Sequence, residues 1–282
     1  DLAEAAAALA ERADTTELTG AEMLRHALGL EGGGISGGVT LAGTSWASDL
    51  LRAAASVDSE PVLQPDGFLG ELRSYQGEAV EWLNFLDEAG LGGCLALDMG
   101  LGKTPTVLAR IASNNQASPS LVVAPPAVVG NWAAEARRFT PTLKILVHHG
   151  PSRSNGAELQ SRIRGADLVI TTYGTAVRDI EELARVEWDR AVLDEAQVIK
   201  NHRSATAKEL RRLNARTRLA LTGTPIENGL GDLWAIMDFC NPGLVGGRTS
   251  FINQLSEVGD AAVAAESALL ALNGVLVFRR TK

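Results

Sequence analysis

The feature that most constrains the fold is one abrupt change of pattern. The apolar run Cys94-Leu95-Ala96-Leu97 breaks into Asp98-Met99-Gly100-Leu101-Gly102-Lys103-Thr104, and residues at helical spacing follow. A buried strand that turns through glycines into a helix opening on Lys-Thr suits a nucleoside triphosphate. The glycines let backbone N–H groups curl around phosphate oxygens, the lysine supplies a fixed positive charge, and the threonine hydroxyl can ligate Mg²⁺. The longer phosphate-loop pattern has a further glycine five positions before Gly102, where this chain has Leu97. The match is therefore to Gly-x-Gly-Lys-Thr. Alone it fits a helix-opening turn as well as a phosphate cradle.

The rest of the chain tests that loop. With 282 residues, 45% hydrophobic and 21% charged, it has the composition of a soluble globular protein of one large domain or two smaller ones. No apolar run approaches bilayer length, and the first residues lack a basic segment followed by an apolar one, so no membrane association or secretion is expected. The two cysteines, Cys94 and Cys240, lie in apolar surroundings without metal-ligand spacing, so a reducing cytoplasm is the expected location. A net charge of −8 argues against a surface that grips nucleic acid all over, and leaves room for a local basic face.

Residues 1–60 read as a helical segment. Thr19-x-x-Glu22 forms a capping box, a short strand or turn lies around Val39–Leu41, and a helix over Ser45–Ala55 would bury Trp46. Residues 61–69, with Pro61, Pro65 and Gly67, read as a linker. From residue 70 to 282, short apolar runs alternate with helical stretches. The expected strands are Cys94–Leu97, Leu121–Ala124, Ile145–His148, Leu168–Thr172, Ala191–Leu193, Leu219–Leu221 and Val275–Phe278, with a further helix over 261–271. Continuous apolar runs suit strands buried on both faces of a parallel sheet. The fold class is α/β, a three-layer domain with a mainly parallel sheet, whose ligands bind at the carboxyl ends of the strands.

Two more strand ends carry chemistry. Ala191-Val192-Leu193 runs into Asp194-Glu195-Ala196-Gln197, where one acid can hold Mg²⁺ and the next can orient or deprotonate an attacking water. Paired acids after a strand also cap helices, but beside the upstream loop the catalytic reading is preferred. Leu219-Ala220-Leu221 runs into Thr222-Gly223-Thr224, whose hydroxyls can bridge towards the acid loop.

At this point the chain resembles a known family, the Swi/Snf-type ATPases of helicase superfamily two. The resemblance rests on an ordered set of motifs over about residues 68–282. They are Leu72-Arg73-Ser74-Tyr75-Gln76, Asp98 to Thr104, Val122-Val123-Ala124-Pro125, Val169-Ile170-Thr171-Thr172-Tyr173 and Asp194 to Gln197. Ile199-Lys200-Asn201, Leu221 to Asn228, Asp232-Leu233-Trp234, Asp238-Phe239, Asn241-Pro242-Gly243 and Phe278 to Lys282 complete it. Residues 1–60 resemble more weakly the helical segment before the motor in bacterial members with a helicase-associated region. Gln197 stands where many members have histidine, and Leu97 where an acidic residue is common.

The resemblance implies the first RecA-like lobe of an ATP-dependent double-stranded DNA translocase or remodeller. It implies ATP and Mg²⁺ as cofactors, duplex DNA as partner and, in a bacterium, a nucleoid-associated location. Lys103, Asp194 and Glu195 would be catalytic, and Thr104 and Asp194 would hold the metal. Arg73, Gln76, Asp98, Met99, Gly100, Leu101, Gly102 and Gln197 would complete the nucleotide site, with Gln76 reading the adenine edge. Thr222, Gly223 and Thr224 would couple hydrolysis to movement. Pro125, Thr171, Thr172, Tyr173, Lys200 and Asn201 would lie along the nucleic-acid track. The family also needs a second RecA-like lobe beyond Lys282 that supplies arginine fingers, so residues 1–282 alone should bind ATP weakly and hydrolyse it very slowly. A strand-separating DNA or RNA helicase and a non-hydrolysing nucleotide-binding scaffold are the alternatives.

Three features have blander readings. Lys200 to Arg218 holds seven Lys/Arg against one acid, Glu209, and could face phosphates, the second lobe or simply solvent. His148-His149 lacks partners at metal-ligand spacing. Trp46, Trp82, Trp132, Trp188 and Trp234 are expected to pack in the core or at the lobe interface rather than stack on bases.

Overall fold

A computed structural model describes residues 63–113, 118–225, 229–249, 251–252 and 275–282. The expectations for residues 1–60, including Trp46, and the helix over 261–271 lie outside the described residues.

The chain order is α1 (Ser74–Glu88), β1 (Gly93–Leu97), α2 (Lys103–Ala112), β2 (Ser120–Ala124), α3 (Pro126–Phe139), β3 (Ile145–His148) and α4 (Gly156–Arg164). It continues with β4 (Leu168–Thr172), α5 (Tyr173–Arg178), α6 (Ile180–Leu183), β5 (Trp188–Asp194), a 3₁₀ turn (Ala196–Ile199), α7 (Ala205–Leu210), β6 (Ala215–Thr222), α8 (Leu230–Cys240) and β7 (Val277–Arg280). The seven strands form one sheet in the order β3-β4-β2-β5-β6-β1-β7. Every pairing is parallel. From β1 to β3 the chain steps towards one edge, and from β3 to β7 it steps back. Right-handed crossovers therefore place α2 and α3 on one face and α4 to α8 on the other. The contacts agree: α1, α2 and α3 pack in series, while α5, α7, α8 and the 3₁₀ turn form the opposite layer.

Helix burial explains the strand compositions. Every residue of β1, β2, β4 and β5 is buried, as a doubly covered parallel sheet requires. The start of β1 is gripped most tightly. A Cβ on Gly92 would fall 2.4 Å from the carbonyl oxygens of Arg218 and Cys240, so only glycine fits there. Asn241 completes the grip: Gly92 N–H donates to its Oδ1 and its Nδ2 donates to Gly92 O, both at 2.8 Å. Cys94 and Cys240 are buried, and burial pushes the Cys94 thiol up to about 12, which leaves it inert.

Two strands are longer than their apolar runs. β5 begins at Trp188 and β6 at Ala215, because their charged residues are neutralised inside rather than looped out. Asp87 of α1 accepts from Arg110 of α2 at 2.6 Å and from Arg190 of β5. Asp189 accepts from Arg216 at 2.8 Å. The edge strand β7 sits two residues later than expected, since the exposed edge tolerates Arg279 and Arg280.

Part of the basic run after residue 200 pairs within the fold. Lys200 lies 3.5 Å from Asp232, Arg211 meets Asp238 at 3.0 Å, and Arg212 meets Glu181 and Glu209 at 2.7 Å. Arg218 donates to Leu213 O at 2.8 Å. These pairs tie the segment to α6 and α8, while Arg203 and Lys208 stand exposed.

Candidate nucleotide site

The phosphate loop leaves the carboxyl end of β1 and enters α2. Gly100 and Gly102 hold φ of +86° and +81°, left-handed values that glycine adopts without a Cβ clash. Leu101 N–H closes the turn onto Asp98 O at 3.1 Å. Lys103 reaches back over the loop, and its Nζ donates to Leu97 O at 2.9 Å. Met99 stands 78% exposed at the rim.

Helix α1 braces this loop. Tyr75 Oη and Gln76 Nε2 both donate to Leu101 O, at 3.0 and 3.2 Å, and Gln76 Oε1 accepts Arg73 N–H at 2.8 Å. The amide of Gln76 thus keeps one donor and one acceptor position in hand. On the other side, Asp98 N–H donates to Arg280 O and its carboxylate accepts Lys282 N–H, both at 3.1 Å. Tyr75 as a loop brace is a residue that the pattern of the sequence does not single out.

The acid pair ends β5, separated from β1 only by β6. Asp194 is 7% exposed, and each carboxylate oxygen has a donor: Glu195 N–H to Oδ1 at 3.0 Å and Trp132 Nε1–H to Oδ2 at 2.7 Å. Tyr173 donates its hydroxyl to Asp194 O at 2.7 Å. Burial pushes the Asp194 carboxyl up, the indole pulls it down, the Glu195 carboxylate pushes up, and the backbone donor and Lys103 pull down. Lys103 is the weakest of these influences, acting from beyond the end of β1 across β6. Trp132 is packed in the core as expected, but nothing in its sequence neighbourhood shows its indole on this acid, because that requires knowing that β2 and β5 are neighbours.

Glu195 has φ +53°, the one non-glycine left-handed residue among those described. Such a backbone costs on the order of 1 kcal/mol or more, and is typical of functional turns. The turn aims its carboxylate at Gln197, whose Nε2 donates to Oε2 at 2.8 Å. Gln197 Oε1 lies 3.4 Å from Thr222 Oγ1, which in turn receives Thr224 N–H at 3.1 Å. The acid loop and the threonine loop, with Gly223 between its hydroxyls, are thus joined through one amide.

The donor set suits Mg²⁺. Hard oxygens from Thr104 and Asp194 are available, and no group of three or more His, Cys, Asp or Glu forms a metal cage among the described residues. Mg²⁺ held by one or two carboxylates, waters and substrate phosphates needs no such cage.

The residues expected along a nucleic-acid track are placed differently from one another. Pro125 is half-buried and precedes α3. Thr171, Thr172 and Tyr173 are buried. Thr171 donates to His148 O at 2.7 Å and Thr172 caps α5 by accepting Thr175 N–H at 3.2 Å. Lys200 Nζ donates to Thr224 O at 3.2 Å, while Asn201 is exposed and its Oδ1 accepts Arg203 N–H at 3.1 Å. Beside them His148 Nε2 meets Asp179 at 2.8 Å, Asp179 also binds Arg153, and burial pushes the imidazole down towards its neutral form. This pairing is structural, in keeping with the absence of metal-ligand spacing.

A parallel sheet carrying a glycine loop, an acid pair and a threonine loop on the carboxyl ends of β1, β5 and β6 defines the RecA-like class of P-loop domains. The SNF2-related domain family matches residues 75–282, and the chain belongs to that family. It is 42% identical over 207 residues to the putative ATP-dependent helicase/translocase YwqA of Bacillus subtilis, covering 72% of this chain and 22% of that protein. It is 37% identical over 221 residues to human lymphoid-specific helicase, covering 73% of this chain and 26% of the relative. The structure superposes on the Sulfolobus solfataricus SWI2/SNF2 ATPase core in complex with dsDNA with a TM-score of 0.68 and 38% identity, covering 78% of this chain and 47% of that one. The chain thus spans about a quarter of these curated relatives. No helix among the described residues is long and apolar enough to cross a membrane.

Proposed function

We propose that this chain carries the first motor lobe of an ATP-dependent double-stranded DNA translocase or remodeller, binding ATP with Mg²⁺ and part of the DNA track. The observation that carries the reading is the placement of Lys103, Asp194 and Glu195 just past the carboxyl ends of β1 and β5, with only β6 between them and Glu195 linked through Gln197 to Thr222. Lys103 would exchange Leu97 O for the phosphates, with the loop N–H groups around them. The open donor and acceptor of Gln76 suit the adenine edge. Thr104 and Asp194 would hold Mg²⁺, which when bound neutralises charge on the phosphate oxygens. Glu195, on its constrained turn, would orient the attacking water and accept its proton. Movement of Thr222 would be felt at Glu195 through the Gln197 amide.

The duplex would run over the carboxyl ends of β2 and β4; a relative core of the same fold is in complex with dsDNA. Thr171, Thr172 and Tyr173 would shape that track, and phosphate contacts would come from backbone N–H groups following Pro125 and from the Asn201 side chain.

The test is ATP hydrolysis by the full-length protein with duplex DNA, single-stranded DNA and RNA in parallel. Duplex should stimulate most, without displacement of a labelled strand. Lys103→Ala and Glu195→Gln should each lower turnover by at least about 10²-fold, in the range of lost catalytic groups. Strand displacement would favour a helicase. Full function in both variants would leave only a nucleotide-binding scaffold.

A further inference from the structure

We propose that Trp132 is a positioning residue for the metal-holding carboxylate, its indole N–H fixing Asp194 so that its remaining lone pairs face the Mg²⁺ of bound ATP. The inference rests on the nucleotide reading above. Trp132 is 1% exposed on α3, and its Nε1–H donates to Asp194 Oδ2 at 2.7 Å. The other described tryptophans behave differently: Trp82, Trp188 and Trp234 donate to the backbone carbonyls of Val275, Leu183 and Gly246. Among the described tryptophans, only Trp132 points its donor at an acid. A buried carboxylate with one donor on each oxygen cannot rotate without breaking a charge-assisted bond. Glu195 N–H holds Oδ1 at 3.0 Å, so the indole is the second of two pins. With both in place, each oxygen keeps lone pairs for the water shell that Mg²⁺ retains. Without the indole, the carboxylate can turn about its own bond towards Lys103 or Glu195.

A residue that merely fills the core would weaken nucleotide binding with and without metal alike. A positioning residue would weaken only the part that Mg²⁺ adds. The experiment is calorimetric titration of the full-length protein with ATP, in Mg²⁺ and in excess EDTA. Two replacements are compared with the wild type: Trp132→Phe, and Trp132 replaced by isosteric 3-benzothienylalanine, whose sulfur stands where the N–H was. The second keeps the packing if phenylalanine does not. Trp188→Phe removes a buried indole hydrogen bond elsewhere. Both Trp132 replacements should bind ATP in EDTA within about twofold of wild type. Their gain from Mg²⁺ should fall by about tenfold, the low end of what a hydrogen bond to a charged group is worth. Trp188→Phe should keep the full gain. An unchanged gain in the benzothienylalanine protein would overturn the proposal and leave Trp132 as core. If the wild type binds no ATP under either condition, the nucleotide reading fails first.

Discussion

Gly102 is the residue on which the loop and the helix that braces it both depend. Its φ of +81° excludes an unstrained side chain, and a Cβ there would fall 2.1 Å from Gln76 Nε2. Gln76 cannot retreat freely, because its amide already joins Leu101 O and Arg73 N–H. Gly100 has a similar φ of +86°, but a Cβ there meets only the flexible end of Lys282 at 3.8 Å. Gly102→Ala should therefore weaken ATP binding by about tenfold more than Gly100→Ala, since it adds a displaced amide to the left-handed strain of about 1–2 kcal/mol that both share. Displacement of a fluorescent nucleotide from the full-length protein measures it. Equal losses would mean that Gln76 does not constrain the loop. The contrast also marks what a sequence can show at this scale. That Gly100, Gly102 and Lys103 share one strand-to-helix turn follows from residue type and order. That Gln76 touches Gly102, or Trp132 touches Asp194, depends on which elements are neighbours, and no local pattern carries that.

At the scale of elements, the strands were legible wherever hydrophobic burial alone formed them, and illegible where charges were buried with them. β1, β3 and β4 match their apolar runs to within a residue. β5 and β6 do not, because Asp189, Arg190 and Arg216 enter the sheet as ion pairs. Asp87 is the centre of this arrangement: it faces Arg110 and Arg190, whose side chains are 11% and 2% exposed. Burial pushes the Arg110 guanidinium down and Asp87 opposes that shift. Asp87→Ala would leave two buried cations without their shared anion, and should destabilise the lobe by about 3–5 kcal/mol. Arg216→Ala should cost about 1 kcal/mol or less, because that side chain is 40% exposed and solvent screens its pairs. Urea unfolding of both variants checks the order. A small effect of Asp87→Ala would show that α1, α2 and β5 are held by packing alone. Internal pairing also takes up Lys200 and Arg211 of the basic run, which local charge counting does not show.

At the scale of the molecule, the candidate site lies along the carboxyl edge of the sheet. Lys103, Asp194, Glu195 and Gln197 line the carboxyl ends of the strands, while Met99 and Val198 stand exposed beside them at 78% and 41%. Among the described residues the hydrogen bonds of Lys103, Asp194 and Glu195 involve no arginine, and an arginine finger supplies about 10³–10⁵ in rate in phosphoryl transfer. Nucleotide affinity and turnover should therefore separate when the lobe is taken alone. Residues 1–282, shown by circular dichroism to be folded, should retain measurable Mg²⁺-dependent ATP binding. Their hydrolysis should run at least about 10³-fold slower than that of the full-length protein on duplex DNA. Duplex should not restore it, because the charge that completes the transition state would come from a second lobe, and not from the track. Adding that lobe as a separate chain should recover part of the rate in a concentration-dependent way. Robust duplex-stimulated turnover by residues 1–282 alone would mean that this lobe already holds every group the reaction needs. The arginine beside the loop, Arg280, would then have to be reconsidered first, since its guanidinium lies 5.8 Å from the ring of Tyr75.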